Sequence, residues 1–335
     1  MKLSFKFLIS LIAAVFLTSS LLIAFVWKVN QDLSQTQEIS SQLITIKQGE
    51  SLYSLLDELA QKKIITPVWQ VKLLSKLNPE LTHIRAGTFL LEGQLSSLDV
   101  IRIFTQGQPH QFKMTFPEGI SFSQWQEKLT QHQWLKQTDY ADKLSQLIAP
   151  YQHAEGLLFP DTYYFTANSD DFSLIEAAFE RMQQTRQQLA SALSDEQWYK
   201  TLILASIVEK ETALVEEMPK VASVFYNRLN KNMRLQTDPT VIYGLGTRYQ
   251  GDIKRVHLKE KNPYNTYHIK GLTPTPIAMP GLNAIKAVID PADTDYYYFV
   301  ADGKGGHVFT TNLKAHNQAV KRYLSLTKPS VNSKN

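Results

Sequence analysis

The 335-residue chain contains no cysteine. That excludes thiol nucleophiles, thiolate metal sites and disulfides. Glycine-rich phosphate cradles are missing as well: no GxxxxGK[ST] or GxGxxG follows a strand-like run, which argues against nucleotide and dinucleotide chemistry. Excess charge of one sign is small, with 35 Lys and Arg against 31 Asp and Glu, and the basic residues are scattered. Such a surface lacks the basic stripe that binds nucleic acid. The eight histidines form no HExxH motif, and the nearest approach to a ligand pair, His307 and His316, reads as a polar turn and a helix. The chemistry expected of this chain therefore uses neither a metal nor another cofactor. What remains is an ordinary globular composition, 43% hydrophobic and 20% charged, in a length that suits two or three domains.

Long hydrophobic runs are also scarce, with one exception. Phe7–Trp27 is 21 residues without a charge, enough helix to cross a hydrocarbon core of about 30 Å. Lys2 and Lys6 precede it, whereas Lys28 is followed by Asp32 and Glu38, so the positive-inside rule places the short end in the cytoplasm. A cleaved signal peptide is the competing reading; the run is longer than a usual h-region, and no A-x-A site follows it. The expected order is thus a cytoplasmic tail at 1–6, a membrane helix at 7–27 with Trp27 as interfacial anchor, and a Gln/Ser-rich linker at 28–43.

Folding resumes at Ile44. ITIKQGESLYSLLDELAQ opens as a strand, turns at Gly49, offers Ser51 as a cap and continues with Leu52, Leu55, Leu56 and Leu59 at helical spacing. The same pattern returns in MTFPEGISFSQWQEKLTQ: Thr45 matches Thr115, Gly49 matches Gly119, Ser51 matches Ser121, Leu55 matches Trp125 and Leu59 matches Leu129. Two copies of one strand-turn-helix unit are therefore expected, the first resembling the opening half of a LysM module or else a generic cap. Between them, Val68–Leu77 reads as a helix and the alternation after Gly87 as a strand. Pro160 makes 153–166 a loop or edge segment. Asp170, Asp171 and Ser173 are all able to cap the helix that runs from there to about Leu193. The pattern is helical again from Asp195 to Asn230, interrupted near Pro219, a residue suited to a first helical turn. The fold class expected is α+β: the membrane helix, a LysM-like α/β subdomain at 44–112, an intermediate segment at 113–194, a mixed α+β C-terminal domain at 195–327 and a tail at 328–335.

Within Leu202–Met218, helical periodicity puts Leu204, Ile207, Val208, Glu211, Val215 and Met218 on one stripe, with Glu209, Lys210 and Glu216 pointing away. A carboxylate on an apolar face is poorly hydrated when charged, so its pKa rises toward that of a general acid. Pairing with Arg228 or Arg234 is the structural alternative for Glu211. Three Gly- and Pro-punctuated loops follow. Gln236, Asp238, Asn265, Thr266 and Tyr267 bring hydrogen-bond partners, and Tyr243, Tyr264 and Tyr267 bring flat apolar faces. That mixture suits a sugar, although each Asn or Asp could equally close its own turn.

The runs IVEKETA, KVASVFYNRL, MRLQTDPTVIYG, NPYNTY, GLTPTPIAMPG and YFVADGKGGHVFTTNLKAHN, with EGLLFPDTY upstream, resemble the YceG-like family of endolytic murein transglycosylases. The resemblance implies a bacterial inner-membrane protein, single-pass, with its catalytic domain in the periplasm. It further implies cleavage of nascent peptidoglycan strands between N-acetylmuramic acid and N-acetylglucosamine without water, leaving 1,6-anhydro ends and terminating elongation. The family's catalytic glutamate, the second Glu of EKET, falls on Glu211, and Asp238 is read as structural or substrate-orienting. Contact with peptidoglycan synthases (penicillin-binding proteins) is implied too. Thr273, Thr275 and Met279 stand where other members often carry Pro, Gly and Asn. A non-enzymatic glycan-binding scaffold and a hydrolytic muramidase stay open as alternatives.

Overall fold

A computed structural model describes residues 5–327. The expected tail 328–335 and residues 1–4 of the expected cytoplasmic tail lie outside the described residues. The chain is mixed helix and sheet and divides into two compact units, one of residues up to Phe112 with Phe165–Ala167, the other of Lys113–Tyr164 with residues from Asn168 onward.

The first unit opens with α1 (Phe5–Leu33), whose apolar side chains between Phe7 and Trp27 are largely exposed and whose length and hydropathy are compatible with a membrane span. It continues through β1 (Thr36–Ile46), α2 (Leu52–Gln61), α3 (Val68–Leu77), β2 (Gly87–Ser96) and α4 (Ser97–Gln106). β1 and β2 pair antiparallel from Thr36 with Ser96 to Ile46 with Gly87, with one bulge between Ile39 and Gln42. Residues 28–43 are therefore not the expected linker. α1 runs on to Leu33 and β1 begins three residues later, with Val29, Leu33, Ile39 and Ile44 buried against α2 and α4 residues in one core. The Gln and Ser residues that suggested a linker form much of the solvated face of an antiparallel strand, where polar alternation is the rule.

The second unit holds β3 (Gln111–Thr115, which begins in the first), α5 (Phe122–Gln131), β4 (Leu135–Lys136), α6 (Ala141–Leu147), β5 (Thr162–Thr166, which ends in the first), β6 (Ser169–Asp170) and α7 (Asp171–Ala190). α8 (Asp195–Glu211), α9 (Met218–Asn230), α10 (Asp238–Leu245), α11 (Arg255–Lys259), α12 (Leu282–Ile289), β7 (Tyr298–Ala301), β8 (His307–Thr310) and α13 (Leu313–Thr327) complete it. The strand-turn-helix echo is realised in both units. Gly49 and Gly119 take φ of 79° and 74°, and Ser51 and Ser121 each accept the backbone N–H three residues on, opening α2 and α5. Asp170 is the N-cap of α7 by position but makes no side-chain cap bond, and Asp171 Oδ1 instead accepts from Thr138. α7 stops at Ala190, short of Leu193.

α8 is the axis of this unit. Ser194 and Gln197 form a capping box at its start, and every residue from Thr201 to Val208 is buried among α9, α12 and the preceding loop. The expected apolar stripe is thus a helix buried on all sides, and it ends at Glu211 rather than running to Met218. Thr212 leaves the helix in an extended conformation while its Oγ1 accepts from Leu214 N at 3.1 Å, a local bond that competes with the helical ladder. Val215, placed on the stripe by periodicity, is 50% exposed. Glu209 is likewise not on an outer face: it is partly buried, with Oε2 accepting from Gly281 N at 3.0 Å at the start of α12. Pro219 occupies the first turn of α9 as expected.

Candidate active site

Glu211 is the last residue of α8, so its side chain stands at the end of a buried helix where the chain turns away. Thr237 Oγ1 donates to Glu211 Oε1. Thr237 is itself 2% exposed and held from behind: its N–H donates to Thr266 Oγ1 at 3.0 Å, and Thr240 Oγ1 donates to its carbonyl at 2.7 Å. Gln236 N donates to Thr266 O at 3.2 Å, with Gln236 at φ 52° and its side chain exposed. The QTDP segment is thereby clamped onto the NPYNTY segment, and one oxygen of Glu211 is fixed while Oε2 carries no such bond to Thr237.

The electrostatics follow from this placement. Burial pushes the Glu211 carboxyl up to about 6; the Thr237 hydroxyl opposes the rise, the negative charge of Asp238 adds to it, and His307 and Arg228 act weakly against it. A pKa near 6 is that of a carboxyl able to give and retake a proton near neutrality. Arg228 does not form the ion pair that was the structural alternative. It is 8% exposed, and its donors reach the carbonyls of Tyr297, Arg234 and Leu235. His307, at the start of β8 rather than in a polar turn, binds Glu217 through its N–H at 2.9 Å and Nδ1 at 2.7 Å.

The seven residues expected to bind substrate separate into three groups. Asp238 is exposed at the first turn of α10 and accepts from Tyr267 Oη at 2.7 Å, so Gln236, Asp238 and Tyr267 share the surface beside Glu211. Tyr243 and Tyr264 lie further along, edge to face at 4.9 Å, with Tyr264 Oη 3.0 Å from Thr275 Oγ1. Asn265 and Thr266 are turned inward. Both are essentially unexposed; Asn265 Nδ2 reaches the carbonyls of His257, Leu258 and Glu260, and Thr266 Oγ1 serves Thr237 and Thr240. Asn265 realises the turn-closing alternative, its Oδ1 accepting from Tyr267 N at 3.0 Å, whereas Thr266 is a buried brace for Thr237, a role that residue type alone does not reveal.

Two further residues of this region carry little signal in the sequence. Thr237 sits between Gln236 and Asp238, and a threonine says little until its partner is known. Glu155, in the quoted EGLLFPDTY run, is 5% exposed and accepts from Phe122 N and Tyr243 Oη, each at 3.0 Å. Burial pushes its carboxyl up to about 7 against those two bonds. A cleft of about 980 Å³ opens in front of it. Lys210 and Pro239, sequence neighbours of Glu211 and Asp238, border that cleft, but Glu211 is not in its wall. The loop behind is fixed by Met279, which exchanges backbone bonds with Gly119 and Ile120, and by Ile277 N on Ser206 Oγ of α8 at 2.9 Å. Thr273 and Thr275 turn their hydroxyls onto the carbonyls of Thr275 and Pro276 within the same loop.

Comparison with known proteins agrees with this arrangement of motifs. A model of the YceG-like family matches residues 44–322. The chain is 42% identical over 176 residues to an endolytic murein transglycosylase of Bacillus subtilis (strain 168), covering 51% of this chain and 48% of that one. It is 28% identical over 283 residues to an endolytic murein transglycosylase of Streptococcus pneumoniae serotype 2 (strain D39), covering 73% and 51%. The chain thus spans about half the length of the curated relatives it matches. A crystal structure of a YceG-like protein from Listeria monocytogenes superposes with a TM-score of 0.55 at 28% identity, over 83% of this chain and 98% of that one. With the family match extending over residues 44–322, in both compact units, the chain belongs to the YceG-like family.

Proposed function

We propose that this chain is a peptidoglycan lytic transglycosylase that cuts glycan strands internally, with Glu211 as the single proton-transfer group. The observation that carries the reading is the partly buried Glu211 carboxyl at the end of α8, fixed by Thr237 and raised to about 6, in a chain of this family. Oε2 donates its proton to the glycosidic oxygen as the bond from C1 of the muramic acid breaks. The C6 hydroxyl of the same ring then attacks C1, and its proton passes to the carboxylate. The ring supplies its own nucleophile, so proximity replaces the second enzymic carboxylate of ordinary glycosidases. The product carries a 1,6-anhydro end, and cleavage of nascent strands ends their elongation.

Asp238 favours a second reading. It is exposed, oriented by Tyr267 and close enough to raise Glu211, so it is placed to activate a water, which would make the enzyme a muramidase. Mass spectrometry of glycan digested by the full chain beside Glu211→Gln tests both. Anhydro-ended fragments that vanish in Glu211→Gln support the first reading. Reducing ends, one water heavier, support the second, and undiminished cleavage by Glu211→Gln overturns the role of Glu211 in either.

The apolar α1 supports a single-pass anchor in the bacterial inner membrane with the rest of the chain in the periplasm, where nascent strands and the synthases that make them are found. Protease added to spheroplasts should then degrade the region beyond Lys28. Protection of that region would reverse the orientation.

A further inference from the structure

The cleft in front of Glu155 is not used by the proton transfer at Glu211, and its construction is that of a site. Its wall combines a carboxylate, 5% exposed, with two tyrosine rings and an apolar patch made by Phe122, Leu144 and Ile277. Each oxygen of Glu155 has one partner, Phe122 N for Oε1 and Tyr243 Oη for Oε2, so each keeps acceptor capacity. Burying such a group beside an open cleft carries a cost that a ligand donor would offset.

The cleft also lies along a path from Glu211. α10 starts at the Thr237–Asp238 pair and carries Tyr243 six residues later, a displacement of about 9 Å along its axis. Lys210 closes the other border, its Nζ on Gly119 O at 2.9 Å. A strand lying along α10 would present one ring to Glu211 and a later ring to Glu155.

Building on the function proposed above, we infer that the Glu155–Tyr243 wall is a subsite for one 2-acetamido sugar ring of the strand being cut. Glu155 accepts a hydrogen bond from the ring's amide N–H or hydroxyl, one tyrosine face stacks on the ring while the other ring meets its edge, and the acetyl methyl meets the apolar patch. The ligand is a neutral amino sugar because the wall offers an acceptor and flat faces and places no cation at Glu155. The rise of the Glu155 carboxyl to about 7 accords with a group largely withdrawn from water.

The test uses the full chain in detergent, with Glu211→Gln as the non-cleaving parent and a tetramer of N-acetylglucosamine as probe, its binding measured by calorimetry. Added to that parent, Glu155→Gln should weaken binding at least tenfold. So should Ser145→Trp, which fills the cleft from the exposed face of α6 without touching the Glu155 bonds, and its melting temperature should be unchanged. In the cleaving chain the same two changes should move the position of the cut along the strand and leave anhydro ends. Tetramer binding that both variants leave intact, or no binding to the parent, overturns the subsite. The reading of Glu211 falls on a different result, cleavage that survives Glu211→Gln.

Discussion

At the scale of single residues, the role proposed for Glu211 sets stability against chemistry. Its carboxyl has a pKa of about 6 in the fold against an ordinary 4.5, so the folded chain holds the proton more tightly than the unfolded one. As pH rises from 4.5 through 6 the unfolded chain loses its proton first, and stability falls; above that range the deficit is constant. Glu211→Gln, neutral throughout, should therefore be more stable than the parent by about 2 kcal/mol at pH 8, with the gain gone by pH 4. Denaturant melts at the two pH values check this, and a gain independent of pH would contradict it. Thr237→Val removes the hydroxyl that lowers this pKa, so the alkaline limb of the pH–rate profile should move to higher pH while the rate falls. An unmoved limb would mean that Glu211 does not set it. Periodicity singled out Glu211 because Leu204, Ile207 and Val208 precede it with helical spacing, and that part of the pattern is real. The carboxyl owes its environment, however, to a helix end and to a loop 26 residues away, a contact that no local spacing encodes.

At the scale of elements, the sequence was most readable where one local signal decides the backbone. Gly49 with Ser51 and Gly119 with Ser121 mark turn and cap, and Val68–Leu77 forms the helix its spacing indicates. It was least readable where side chains compete with the ladder, as at Thr212, or where a strand face is polar, as in Gln37 to Gln42. The loop segments that carry the site depend on single backbone positions. Gly156 takes φ 77°, its N–H points at Met279 Sδ, and an added Cβ would stand 2.4 Å from the ring of Pro276. A proline ring cannot swing aside as a long side chain does. Gly156→Ala should then cost roughly 3 kcal/mol or more, combining left-handed strain with overpacking. The same change should weaken cleavage, since Ile277 and Met279 tie that loop to α8 and to the turn before α5. A thermal melt within about 1 °C of the parent, about 0.3 kcal/mol or less, would show that the loop yields at little cost.

At the scale of the whole molecule, the two parts of α1 have different surroundings. Its 29 residues span about 44 Å, more than a hydrocarbon core requires. The exposed apolar stretch ends at Trp27, and the last turns are built differently: Val29 and Leu33 are buried in the core of the first unit, Lys28 pairs with Asp32 at 2.7 Å, and Gln70 Nε2 of α3 donates to Asp32 Oδ2 at 3.1 Å. The apolar helix and the first folded unit are thus joined in one continuous element, α1 passing directly from its exposed stretch into the core. A soluble version that begins at Lys28 keeps those contacts; one that begins at Thr36 loses both apolar side chains and leaves their pockets open. Burial of a Val and a Leu is worth roughly 3–5 kcal/mol together. The shorter version should melt lower in its first unit and become sensitive to protease between β1 and α3, while Trp198 in α8 of the second unit reports an unchanged transition. Equal melting of the two versions would mean that the last turns of α1 contribute nothing to the core they enter.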